Sequence, residues 1–295
     1  MARRSIGPDQ FEGTWAVVSQ VTNALVRALL VALLVATPSL LLPETRSDTA
    51  QLVLVLAILA SFMTFIEYYG RYPSIVEFRF APPFNRLKFV GLALTVLLLT
   101  LILRGKAYPN DLTMFLTVLG HGLGEAIDFP YSPVRLVVLM LPADADAELI
   151  ASVRMAAGLS YTISIVMMFV FLTYVRFLGW PLRNGAFNVW VNLPMFDPTG
   201  GGDVLHRLRR DAGLNIVLGS LLPFLIPAAV KAASDLINPV SIADSQTLIW
   251  TMSAWAFLPA SMLMRGIAMS RIAEMIVEKR RRAHARAEAE TMQGA

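Results

Sequence analysis

Six apolar stretches, each long enough to cross a hydrocarbon core as a helix, constrain this chain more than any other feature of its sequence. They run from about 25 to 42, 51 to 66, 87 to 103, 155 to 178, 212 to 230 and 247 to 264. A crossing needs roughly 17–25 helical residues. Inside lipid every backbone polar group must find its partner within the protein, so stretches of this kind form helices. The expected fold class is all-α and membrane-embedded: a six-transmembrane-helix bundle forming a single polytopic domain over 1–295, closed by a helical tail over 265–290. Charged residues make up only 16% of the chain and mean hydropathy is +0.60. A soluble domain carries about 25% charged residues, so the lipid bilayer is the expected solvent and first partner.

Charge placement gives an orientation. With the N-terminus in the cytoplasm, 18 of the 25 Lys and Arg residues fall on the cytoplasmic side and six on the outside. That is the bias of the positive-inside rule, and it predicts both termini cytoplasmic in the inner membrane of a bacterium. The net charge of +4 then reports topology, and no nucleic-acid partner is expected. Arg3 and Arg4 sit too far from the first apolar run for a twin-arginine signal, and the N-terminus reads as uncleaved.

Phe11, Trp15, Val18 and Leu25 recur at helical spacing ahead of the first span, which predicts an N-terminal interfacial helix. Arg27, just inside the span, would snorkel to the headgroups. Between the third and fourth spans the outer loop is long. Its apolar piece Leu112 to Leu123 is too short to span and predicts a re-entrant or interfacial helix. Asp144, Asp146 and Glu148 read as the start of the next helix, where carboxylates favour the positive helix end.

Several classes of chemistry are excluded. The chain has no cysteine, which removes disulfides, thiolate metal sites and cysteine nucleophiles. Gly200-Gly201-Gly202-Asp203 lacks the lysine of a phosphate-binding loop, and no GxSxG element occurs. No cofactor is expected, and an enzyme is disfavoured. His121, Glu125 and Asp128 fall on one helical face and are the weak candidates for a divalent metal. Gly122 and Gly124 beside them disfavour a rigid helix.

In the fifth span Pro223 and Pro227 each remove a backbone donor, which predicts a kinked or broken helix. Two loops assigned to the cytoplasm, around Ile75 to Phe80 and Phe187 to Leu193, alternate with period two and end in proline. They are expected to form short extended segments, paired as copies of one unit, with Pro82 aligned to Pro194. Phe78, Phe80, Phe84, Trp190 and Phe196 are the expected partner-docking aromatics, because exposed aromatics mark docking surfaces. The basic tail is a candidate contact for anionic lipid.

These features favour a non-catalytic accessory, assembly or scaffold subunit of a membrane-protein complex. The alternatives are a small-solute transporter or channel using a broken fifth helix, and a membrane enzyme with a periplasmic metal face.

Overall fold

The structure, a computed structural model, describes residues 8–43, 47–181, 189–194, 196, 203–233 and 243–293. Side chains before 18, at 47–49, at 189 and 190, and at 291 and 293 lie outside the described set. The helices are α1 (Pro8–Leu41), α2 (Ser47–Tyr69), α3 (Phe84–Gly105), α4 (Asp111–Ala126), α5 (Pro133–Leu139), α6 (Ala147–Phe177), the single turn α7 (Val189–Asn192), α8 (Val204–Ala233) and α9 (Ser245–Gln293). No strand occurs among the described residues. Among the described residues six helices are long and apolar enough to cross a membrane: Val18–Leu41, Ala50–Tyr69, Phe84–Gly105, Ala147–Phe177, Val204–Ala233 and Ser245–Glu290.

Local chemistry sets the helix ends. The Asn110 side chain accepts from the Thr113 N–H, and Thr113 Oγ1 accepts in return from the Asn110 N–H, a reciprocal cap at the start of α4. Asp146 Oδ1 accepts from the Leu149 N–H at 2.6 Å and opens α6, as the acidic run in the sequence suggests. α6 therefore begins well before residue 155. The charge of Arg154 masks this first turn in a hydropathy profile, and an ion pair described below neutralises it.

Three expectations need correction here. α1 is one helix from Pro8 to Leu41, so the amphipathic N-terminal stretch continues the first span without a break and is no separate interfacial helix. Among the described residues the expected extended segments are absent: 77–80 forms turns and 189–192 is helical, so these stretches are not copies of one unit, and Phe187 and Asn188 lie outside the described residues. The fifth span is not broken, because α8 runs through both Pro223 and Pro227. Pro227 cannot donate to the Pro223 carbonyl, and the Trp255 indole Nε1–H from α9 takes that carbonyl at 3.2 Å. A neighbouring helix thus supplies the donor that proline lacks.

Small residues bring the helices of the core together. A Cβ added at Gly158 on α6 would stand 2.5 Å from the Gly124 Cα of α4, so the two backbones touch. At Gly219 on α8 a Cβ would meet the Pro259 carbonyl of α9 at 2.7 Å, and at Gly266 on α9 it would meet the Ala212 carbonyl of α8 at 2.8 Å. Such contacts maximise dispersion between helices where lipid removes the hydrophobic drive. α8 and α9 form the most extensive helix pair, and α6 packs on α9, α4, α3 and α5. α2, by contrast, packs mainly on α1.

Candidate functional site

The segment between α2 and α3, residues 70–83, concentrates most of the polar organisation at its end of the bundle. Near the end of α2 the buried Glu67 carboxylate accepts from the N–H groups of Ser74, Ile75 and Val76 at 2.7, 2.9 and 2.8 Å, and from Ser74 Oγ at 2.8 Å. Those four bonds fold the segment back onto the helix that precedes it. Arg79 then donates to the carbonyls of Glu67, Tyr68 (3.0 Å) and Gly70 (2.8 Å), the acceptors that a helix C-terminus leaves open. Burial lowers the Arg79 pKa from its ordinary value, Glu67 and Tyr68 oppose that shift, and the nearby Arg27 charge reinforces it. The guanidinium remains a cation throughout the accessible range.

Two longer ties fix the segment to the core. Glu77 accepts from Arg265 of α9 through two hydrogen bonds, Nε to Oε2 at 2.6 Å and Nη2 to Oε1 at 2.8 Å. Asn192 in α7 accepts from the Phe78 N–H on its carbonyl at 2.6 Å and from the Phe80 N–H on its Oδ1 at 3.1 Å. Phe78 sits at φ +54, a left-handed conformation uncommon for a bulky residue, and this carries its ring inward. The ring lies 4.6 Å from Phe84, which lies 5.3 Å from Phe171, and Phe171 lies 5.1 Å from Trp180. The Trp180 indole donates to the Ala81 carbonyl at 3.0 Å.

This arrangement corrects the assignment of docking aromatics. Phe78, Phe84 and Phe196 are 1, 1 and 6% exposed, so they pack within the chain's own core and are not offered to a partner. Phe80 alone of the described set is exposed, with the Arg79 guanidinium over its ring at 4.8 Å. The side chain of Trp190 lies outside the described residues. Tyr72 and Ile75 of the same segment are exposed beside Phe80.

A cleft of about 400 Å³ opens between α1, α2 and this segment, lined by Gln20, Asn23, Arg27, Tyr68, Arg71 and Arg79 with Phe80 at its edge. Arg27 and Arg79 face the same Tyr68 ring, at 4.4 and 5.6 Å from its centroid. Gln20 Nε2 donates to the Tyr69 carbonyl at 2.7 Å and joins the two helices. Of these residues the sequence singles out Arg27, as a snorkelling side chain, and Phe80, as a docking aromatic; nothing in it brings the others together.

At the opposite end the three metal candidates do not assemble. α4 ends at Ala126, so Asp128 leaves the helical face that carries the half-buried His121 and the exposed Glu125. The Asp128 carboxylate turns instead to two arginines. Arg154 Nε donates to Oδ2 at 2.7 Å, and Arg135 Nε stands 2.8 Å from Oδ1 in an ionic contact poorly aligned as a hydrogen bond. Among the described residues no group of three His, Asp or Glu is placed to hold a metal ion.

Pro223 also borders a crevice of about 250 Å³ between α6 and α8, with Tyr161, Ser164 and Ser220 on its walls and Ala256 and Pro259 of α9 beneath. No protein-family model, curated protein or solved structure matches the chain. The case for function therefore rests on this geometry.

Proposed function

We propose that the chain is a non-catalytic accessory, assembly or scaffold subunit of a bacterial inner membrane, with both termini in the cytoplasm. The orientation rests on the 18-to-six bias of Lys and Arg and on the even number of crossings. The observation that carries the functional reading is the end of α9. This helix has 49 residues, about 73 Å at 1.5 Å per residue, far more than a bilayer requires. From Glu278 to Glu290 every residue is exposed. Alternating Ala, Arg and Glu have high helix propensity, which keeps the arm helical with no core of its own to cover. Its nearest tie is Arg280 to Asp203 at 3.1 Å, a bond that lowers the Asp203 pKa. A polar helix projecting from a membrane bundle offers a surface to something else. Tyr72, Ile75 and Phe80 of the 70–83 segment are also exposed and offer apolar surface of their own.

Purification in mild detergent followed by native mass measurement tests the reading. The full chain should carry a second kind of subunit, lost on truncation after Val277 or in Tyr72→Ala/Phe80→Ala. A pure homo-oligomer with the same number of copies in all three would overturn it.

The crevice beside Pro223 supports a second reading, a small-solute transporter or channel. Proteoliposomes should then leak or take up a small solute, and Ser164→Leu should block the flux. Liposomes that stay tight to a panel of ions and neutral solutes would remove this reading.

A further inference from the structure

Among the described residues the cleft between α1 and α2 collects positive charge with no free carboxylate to match it. Arg27, Arg71 and Arg79 all line it, and Glu67, the nearest acid, already accepts four hydrogen bonds from 74–76. Arg27 and Arg71 form no ion pair among the described residues. Arg27 and Arg79 are held against one Tyr68 ring, although like charges at close range repel. An anion between them would offset that repulsion.

We propose that this cleft binds a phosphate-bearing anion, supplied in the membrane as the headgroup of an anionic phospholipid. Guanidinium groups present paired N–H donors that match phosphate oxygens bidentately. Arg27 and Arg71 supply such donors, Arg79 adds charge while its Nη groups hold the carbonyls of Glu67, Tyr68 and Gly70, and the volume of about 400 Å³ lies in the range of ordinary ligand sites. Arg71 is exposed and free to swing onto a ligand. Arg79 is anchored by the carbonyls of α2 and cannot withdraw.

The surroundings favour a lipid as the carrier of that phosphate. α1 and α2 meet along Ala24, Ala28 and Ala57, which are buried at 1, 4 and 4% exposure. The outward faces next to this seam are apolar and open. Val26, Leu29 and Leu33 on α1 and Leu59, Phe62 and Ile66 on α2 are all exposed. A headgroup on the arginines would lay its acyl chains along these faces, so one molecule would touch both the polar and the apolar part of the hairpin.

The site differs from the basic tail of α9, and the test exploits that difference. Full-length protein is placed in phosphatidylcholine nanodiscs with and without phosphatidylglycerol, and retained lipid is counted by native mass measurement. The wild type should retain phosphatidylglycerol preferentially. Arg27→Gln/Arg71→Gln should retain it about tenfold more weakly, the loss expected when about one charge-assisted contact worth of binding is removed. Arg281→Gln/Arg282→Gln in the tail should match the wild type. Arg71→Gln alone removes a side chain that holds no part of the fold and guards against misfolding of the double variant. In a second arm, delipidated protein in neutral detergent is titrated with inorganic phosphate. Phosphate binding lost in the double variant, without lipid retention, would keep the site and assign it to a free phosphate. Equal phosphatidylglycerol retention by wild type and both arginine variants, with no phosphate binding, would overturn the proposal.

Discussion

The α1–α2 hairpin and the α6–α8–α9 core are both apolar enough to cross a membrane and are held by different means. Within the apolar windows of α1 and α2 only 17 and 11% of residues are buried, against 50% in α6 and in α9, while α8, at 17%, is as exposed as α1 and is held by its contact with α9. The core closes through glycines that let backbones touch, at Gly158, Gly219 and Gly266. The hairpin closes on alanines and is fastened at its ends, by Gln20 to the Tyr69 carbonyl, by Arg27 on Tyr68, and by Gln246 of α9 to Ser39 at 2.7 Å. Hydropathy therefore says which residues enter lipid and nothing about which helices hold one another. Backbone proximity and polar ties decide that.

Five substitutions would break or sharpen this contrast, each read as the unfolding midpoint of detergent-solubilised protein. Gly158→Leu should have the largest effect, at least about 3 kcal/mol of destabilisation, because the opposing atoms are backbone and cannot turn away. Gly122→Ala, on the same helix as the Gly124 contact but with nothing within 4 Å, should be neutral or slightly stabilising. Equal behaviour of the two would end the backbone-contact account.

Next comes Arg265→Gln. It leaves the Glu77 carboxylate, whose side chain is 10% exposed, without its cation, and should cost about 2 kcal/mol, the partial exposure reducing the penalty of a fully buried broken pair. Because this bond joins the 70–83 segment to α9, protease sensitivity at 70–83 should rise with it. An unchanged digestion pattern would show that the segment is held without the core.

Trp255→Phe keeps an aromatic ring but removes the donor to the Pro223 carbonyl, for a loss of about 1 kcal/mol. The smallest loss should be Gln20→Ala, about 0.5 kcal/mol, since its bond lies at an exposed position. If Gln20→Ala proved as costly as Trp255→Phe, the hairpin would be no more loosely held than the core.

The sequence makes the six crossings legible because length and apolarity are properties of continuous segments. Helix ends are less so: the charge on Arg154 hides the first turn of α6, and its partner Asp128 is 26 residues away. The period-two pattern in 75–80 misleads for a physical reason. Phe78 and Phe80 share a phase and would face one side of a strand, yet in the turn Phe78 is drawn into the core and Phe80 stays out. Aromatics in a loop are read as docking residues only if the loop has no core to enter, and here Trp180, Phe171 and Phe84 provide one. The arginine cleft is invisible in sequence because positions 27, 71 and 79 converge only when α1 and α2 pair. The metal triad fails because helical spacing counts only while the helix continues, and α4 stops at Ala126.

The ties on the 70–83 segment also impose an order in time. Asn192 lies 112 residues beyond Phe80, and Arg265 lies 188 residues beyond Glu77. A ribosome adding roughly 5–20 residues per second delivers Arg265 some 10–40 s after Glu77. For that interval the nascent segment has its Glu67 and Arg79 bonds but neither Asn192 nor Arg265. One of the first loops to be synthesised is thus among the last to be locked, and a chain stalled before α9 would present it unlocked to membrane chaperones and proteases.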